Sequence, residues 1–518
     1  MKIRKPALFF SAIFAASAVF AEIVMPRIFS DNMMFQRDMP LKIWGKADAG
    51  ARVGVEFKDQ KKMVKASGDG SWSIELAPVK GSFDPAELVV FENGKQGKRI
   101  KNVLVGEVWV LGGQSNMEWR LIPTTDGEAA KARAKYPALR YFTQPGGTFT
   151  PEKQFDTPES SKWQEASPDT VARWSGVGFY FGEQLMKDLE VPVGLIETPL
   201  GGSAMRAWIP DEAVSGIPFL EENLANFKKQ LAAYDYNKAL AEWKKRSDAY
   251  EASVKAAKAE GKPVPEKPWN VRNKPNKLSP QRPQETPGWL YNAKIAPIAG
   301  FAARGFLWYQ GESDAGGKSL ECFEEQFARI IETWRKAWNN DDMYFFWVQL
   351  ASFGGSGDWA TTRWKQYQTM RSVQKTGMAN IIDLGEEKDI HPRNKTDVGL
   401  RLEKIALRDV YGVKGLYPYG PMFKMVRYTP KGAEVVYDLD GRKLVGKGDP
   451  RGFEVKIAGE WKPAKAELVG KRVIVNPADA EKGAKIEGVR YLWKKWALPD
   501  VWLFNDQGLP ALSFITEK

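Results

Sequence analysis

From about residue 103 to 411 the chain repeats one pattern: an apolar strand, a polar end that often bears glycine, then a helix. This alternation constrains the fold more than any other feature, because strands fed by helices build a parallel sheet covered on both faces. Strands are predicted over 103–111, 193–198, 305–309, 343–350 and 380–384, and helices over 174–189, 320–338 and 397–411. The helix at 320–338 has the strongest signal, with Phe323, Phe327, Ile330, Ile331, Trp334 and Trp338 at helical spacing.

The flanks follow a different period. Residues 22–102 contain short alternating runs, such as Leu41-Lys42-Ile43-Trp44 and Val53-Gly54-Val55-Glu56-Phe57, with hairpin signals at Asp69-Gly70 and Asn93-Gly94. A small β-sandwich or jelly-roll-like unit is expected there. Residues 415–518 turn β-rich again, with alternation in Val435-Val436-Tyr437 and Arg472-Val473-Ile474-Val475 and a turn at Asp440-Gly441. Residues 225–285 interrupt the α/β unit, rich first in Lys, Ala and Glu, then in Pro and Asn. They predict a solvated helix or hairpin followed by an irregular loop. At 518 residues the chain exceeds one typical core. The expected division is an N-terminal β-domain at 22–102, an α/β unit at 103–414 and a β-rich region at 415–518.

Residues 1–21 read as an export signal: Lys2, Arg4 and Lys5, an apolar run over 7–20, then Val19-Phe20-Ala21 before Glu22. The run is too short to span a bilayer, and no other segment is long enough. A secreted or periplasmic chain without a membrane span is expected. Cys322 is the only cysteine, so no intrachain disulfide can form, which suits a bacterial periplasm or surface. The formal charge of +12 is spread among acidic residues without a recognition motif, which excludes nucleic acid as a partner. A modest positive field can favour acidic sugars, although solubility alone accounts for it.

There is a single histidine, His391. A zinc site built on several histidines is therefore excluded, and any imidazole chemistry has one candidate. In an open α/β sheet, ligands sit beyond the carboxyl ends of the strands. Those ends deliver Gly113-Gln114-Ser115-Asn116, Gly201-Gly202-Ser203, Gln310-Gly311-Glu312-Ser313-Asp314 and Asp389-Ile390-His391-Pro392. These are the parts of an acyl-transfer site. Ser115 needs a base to attack, and His391 can take its proton and return it to the leaving oxygen. A carboxylate on the other ring nitrogen fixes the tautomer. The Ser115 amide and that of Gly201 or Gly202 are candidate oxyanion donors, each worth roughly 3 kcal/mol. Gln114, Gln310 and Arg206 are counted with the substrate-binding groups. Arg206 and Arg363 can each clamp a carboxylate, Trp119, Trp208 and Trp308 can stack on sugars, and Asn292 can reach the cleft. Ser115 lacks the last glycine of a G-x-S-x-G elbow, which disfavours a lipase-type hydrolase.

Gly113-Gln114-Ser115-Asn116-Met117-Glu118-Trp119, Trp308-Tyr309-Gln310-Gly311-Glu312-Ser313 and Asp389-Ile390-His391-Pro392 resemble the signature blocks of sialate O-acetylesterases. That family lies within the SGNH-hydrolase superfamily and is related to carbohydrate esterase family 6. The tail, with Gly488-Val489-Arg490-Tyr491-Leu492-Trp493, is similar as well. The resemblance implies a flavodoxin-like α/β/α catalytic domain without metal or cofactor. It implies deacetylation of O-acetylated sialic acids or other acetylated glycans, with Ser115 as nucleophile, His391 as base and Gly201 or Gly202 as second oxyanion donor. Two departures stand out: Glu312 occupies the place of the usual oxyanion asparagine, and Lys388, not aspartate, lies three residues before His391. The triad acid is left open between Asp389, Glu312 and a bare Ser–His dyad. Alternatives in function are an acetylxylan or other polysaccharide acetylesterase, a glycoside hydrolase using Glu118 and Glu312, and a non-catalytic carbohydrate-binding protein.

Overall fold

A computed structural model of the chain describes residues 23–144, 149–478 and 485–516. The expected export signal lies outside the described residues. Seven strands form the sheet that carries the site: β1 (Lys95–Gly113), β2 (Tyr136–Thr143), β3 (Lys162–Ala166), β4 (Val193–Glu197), β5 (Gly305–Tyr309), β6 (Tyr344–Val348) and β7 (Thr376–Ala379). Their order is β7-β6-β5-β1-β4-β2-β3. All neighbours are parallel except β3, which pairs antiparallel with β2 at one edge. After β1 the chain fills one side with β2, β3 and then β4 next to β1, and crosses to the other side for β5, β6 and β7, so the end of β1 is the topological switch point.

The helices used below are α1 (Ser115–Glu118), α2 (Gly176–Leu189), α3 (Pro218–Ala232), α4 (Tyr236–Ala259), α5 (Trp269–Arg272), α6 (Phe323–Ala337), α7 (Trp359–Ser372) and α8 (Lys395–Asp409). The two-residue period of β1 sorts its side chains between two apolar layers. Val108 and Val110 join the cluster that holds Phe327, Ile330, Ile331 and Trp334 of α6. Trp109 and Leu111 join the one that holds Val177 and Phe181 of α2 with Val398 and Leu402 of α8. The sheet is thus covered on both faces, as the strand–helix alternation predicts.

Three elements differ from expectation. The last strand is Thr376–Ala379, not 380–384. Its residues pair with Phe345–Val348, and the chain then leaves the sheet at Asn380, whose side-chain oxygen accepts the Ile382 N–H at 3.1 Å. Ile381 and Ile382 are buried, but in two different cores, so their apolarity reports burial and not strand. The helix predicted over 320–338 breaks at Cys322, leaving Gly317–Glu321 as a separate turn before α6. Asp69-Gly70 joins Gln60–Lys65 to Ser71–Leu76, yet these two strands pair with other partners, Arg52–Phe57 and Leu41–Lys46. Asn93-Gly94 does close a hairpin, with Glu92 opposite Lys95 and φ of 49° and 81° at the turn.

β1 belongs to two layers at once. Its first part pairs with Ser82–Glu92 and with Met34–Gln36 of the N-terminal β-layer, and its second part is the central strand of the α/β sheet. At the passage sits Glu107, fully buried. It accepts from Arg37 Nε at 2.6 Å, Arg304 Nε at 2.8 Å, Gln36 Nε2 at 3.1 Å and the Tyr411 hydroxyl at 2.9 Å. Burial opposes its charge, but the two arginines win and hold its carboxyl below the usual range. The C-terminal strands form a seven-stranded antiparallel sheet over its own core, which includes Val435, Phe453, Tyr491 and Phe514. Among the described residues no helix is long and apolar enough to cross a membrane.

Candidate active site

Gly113 ends β1 with φ of 118°, and a Cβ there would lie 2.2 Å from the Tyr309 carbonyl oxygen, so only glycine fits. This close approach to β5 turns the chain sharply, and α1 starts at Ser115. The Ser115 N–H lies in the first turn, where helix geometry supplies no acceptor. Ser175, the N-cap of α2, holds α1 by donating to the Met117 carbonyl at 2.6 Å.

His391 arrives on the loop before α8, and its Nε2 lies 2.9 Å from Ser115 Oγ. The ring stacks on Trp119, with centroids 4.8 Å apart and planes at 18°. Asp389 lies on its other side: its Oδ1 is 3.5 Å from Nδ1 and accepts the His391 backbone N–H at 2.9 Å. Burial, more than any other cause, holds the imidazole below its ordinary value; Lys395 adds to this and Asp389 opposes it.

Glu312 faces elsewhere. Its Oε1 accepts from Asn116 Nδ2 at 2.6 Å, and its Oε2 is buried without a partner. Asn116 also donates to the carbonyl of Ile390 at 3.0 Å and accepts from Lys395 Nζ at 2.5 Å. A buried lysine, an amide and a carboxylate thus run beneath the serine and tie α1 to the histidine loop. Burial pushes Lys395 down to about 7 and raises Glu312. Lys395 and the bridging role of Asn116 are the parts that sequence reasoning missed. The one available signal is that Lys395 follows Asn394, which caps α8 through the Asp397 N–H at 3.1 Å.

The other residues expected at the site occupy a range of positions, some beside the serine and some far from it. Gly201 lies against the serine, since a Cβ on it would be 3.4 Å from Ser115 Cβ, but its N–H donates to Glu118 Oε2 at 2.7 Å. Gly202 is exposed with φ of 72°. Gln114 is buried, and its Oε1 accepts the Ser313 N–H at 3.3 Å. Gln310 is buried and donates to the Ser203 carbonyl at 3.1 Å, bracing the glycine loop. Arg206 is half-buried, with Nε on the Glu285 carbonyl at 3.0 Å. Arg363 does not border the cleft: it is fully buried on α7 and donates to the Lys494 carbonyl, joining the C-terminal region. Trp208 and Trp308 are fully buried, packed edge-on to each other at 5.8 Å. Asn292 is also buried and donates to the carbonyl of Pro151 at 2.9 Å. Of the three tryptophans only Trp119 reaches the site surface. Among the described residues no group of three or more His, Cys, Asp or Glu side chains is placed to hold a metal ion.

A parallel α/β sheet with a serine and an imidazole in hydrogen-bond contact at its switch point defines a serine ester hydrolase. Residues 105–266 and 282–407 match the family described as carbohydrate esterase, sialic acid-specific acetylesterase, and the chain belongs to that family. It is 25% identical over 509 residues to the sialate O-acetylesterase of Rattus norvegicus, covering 90% of this chain and 89% of that one. Identity to the Homo sapiens sialate O-acetylesterase is 24% over 508 residues, covering 90% and 87%. The crystal structure of a carbohydrate acetylesterase from Xanthomonas citri superposes with a TM-score of 0.79 at 30% identity, covering 96% of this chain and 100% of that one.

Proposed function

We propose that this protein hydrolyses O-acetyl esters of sialic acids or of other acetylated glycans through an acyl-enzyme on Ser115. The observation that carries the reading is the 2.9 Å contact between Ser115 Oγ and His391 Nε2. In the first half-reaction His391 takes the serine proton as Oγ attacks the acetyl carbonyl. The Ser115 N–H receives the developing oxyanion. The Gly201 N–H joins it once Glu118 swings toward Arg120, whose Nη2 is 3.6 Å from the carboxylate's other oxygen. Collapse transfers the acetyl group to Oγ, and His391 returns the proton to the sugar oxygen. Water then attacks the acyl-enzyme by the same route and releases acetate. Asp389 is the acid that orients the imidazole, since it alone of the two candidate carboxylates lies at Nδ1.

The catalytic unit is read as an SGNH-type domain over 103–414, between β-rich units at 22–102 and 415–518. The export signal implies that it works outside the cytoplasm. Release of acetate from O-acetylated sialic acid and from acetylxylan tests the reading and separates its two substrate classes. Ser115→Ala is expected to lower turnover by about 10⁴-fold or more while leaving the melting temperature unchanged. Full activity in that variant ends the proposal.

A further inference from the structure

A groove of about 440 Å³ runs along the insertion, between Tyr234, α4 and the segment carrying α5. That is within the size of small-ligand sites, roughly 300–1,000 Å³. Its lining combines Trp269, Tyr234, Asn270, Asn276, Gln281 and Gln284. Trp269 is 61% exposed, the most of any large apolar side chain described. Its flat ring offers a stacking face, and the Arg282 guanidinium carbon lies 5.2 Å from the ring centroid. Carboxamides carry both donor and acceptor and suit neighbouring hydroxyls.

Hydrogen bonds tie the groove wall to the neighbouring helices, and its Gln284 end lies beside the glycine loop that borders the serine. Trp243 Nε1 donates to the Val271 carbonyl at 3.1 Å, Gln281 Nε2 to Gln230 Oε1 at 3.0 Å and the Tyr234 hydroxyl, between the two helices, to the Asn276 carbonyl at 2.7 Å, fixing the wall to α4 and α3. At the other end, Ala204 N donates to the Gln284 carbonyl at 2.9 Å, and Gln284 Cγ lies 3.9 Å from where a Cβ on Gly202 would sit. A Cβ added to Gly201, the preceding residue, would lie 3.4 Å from Ser115 Cβ. Three of the four cations lining the groove have carboxylate partners, Arg246 with Glu242, Arg272 with Glu266 and Arg282 with Glu285, and Lys274 lies over the Trp243 ring. Charge therefore does not select the occupant, while a flat aromatic face and amides do. Residues 267–281, which form this wall, lie between the two stretches matched to the family, so the match assigns them no role.

We infer that this groove is a subsite for a neutral, hydroxyl-rich oligosaccharide chain extending from the acetylated sugar, with Trp269 as its stacking platform. The inference rests on the acetylesterase reading and narrows it: the substrate is an acetylated residue within a chain, not a free monosaccharide. The test is kcat/KM for acetate release from O-acetylated xylose against O-acetylated xylohexaose, and from O-acetylated N-acetylneuraminic acid against the same sugar in sialyllactose. The wild type is expected to favour the longer member of at least one pair by about tenfold or more, and Trp269→Ala to bring that ratio close to one. Asn270→Ala is a second variant on the same exposed turn and is expected to lower the ratio in the same sense. A ratio near one in the wild type, or a ratio untouched by both substitutions, overturns the subsite and leaves the esterase reading standing. No acetate from any of the four removes both.

Discussion

His391 sits between opposing influences. Burial and the ammonium of Lys395 disfavour the imidazolium, and Asp389 favours it. The net shift is downward, so the free base persists below the ordinary value of about 6.5. Since catalysis needs that base, kcat/KM is expected to fall on acidification through a limb centred below pH 6.5. Asp389→Asn removes the only favouring charge and moves the limb further down. Lys395→Met removes a disfavouring one and moves it up. A pH–rate profile of the three proteins checks both signs. The same substitutions decide the orienting acid. Asp389→Asn is expected to lower kcat by about a hundredfold, whereas Glu312→Gln, facing Asn116 and not the imidazole, keeps it within about tenfold. Ser115 and His391 were legible because strand ends in such a sheet converge on one crevice. Lys395 was not, because an exposed and a buried lysine look alike in a sequence, and nothing in its spacing announces Asn116 as a partner. Arg363 misled for the same reason: an arginine near a predicted strand end can serve a neighbouring domain as well as a ligand.

At the level of elements, α2 and α8 lie unusually close. A Cβ on Gly399 would come within 2.8 Å of the Phe181 backbone nitrogen. One turn further along α8, Glu403 is buried in this seam, and one of its oxygens has no partner. Burial, with Asp188 beside it, raises its carboxyl to about 8. A folded-state value above the unfolded one means that folding takes up a proton. Stability from this group is then present at about pH 4.5 and is lost as pH rises through about 8. Glu403→Gln, which keeps the shape without the charge, is expected to raise the melting temperature at pH 9 by about 2–4 °C and to leave it nearly unchanged at pH 5. Calorimetry at the two pH values distinguishes this from a general packing effect. The helices themselves were readable from periodicity. The strand–turn exchange at 376–384 was not, because Ile381 and Ile382 are as apolar as strand residues while serving two different cores.

For the whole molecule, the decisive feature is that β1 is one strand of 19 residues, bulged at Asn102, shared by two layers. Residues 22–102 and 103–414 differ in period, which is visible in the sequence, but the boundary between them falls inside this strand. The two layers are therefore expected to unfold together, in one calorimetric transition. Glu107→Ala strands two arginines at the junction and is expected to cost about 3–5 kcal/mol, lowering that single transition without splitting it.

Beyond the bulge at Asn102, whose φ is 56°, the alternating register of β1 admits no slack. Past that point, deleting one residue between Val103 and Glu107 would turn every following side chain of β1 to the opposite face, and the serine at its far end would no longer meet its histidine. The front layer is thus a ruler for the chemistry. Trimming it away to obtain a smaller enzyme would remove the standard against which the nucleophile is aligned.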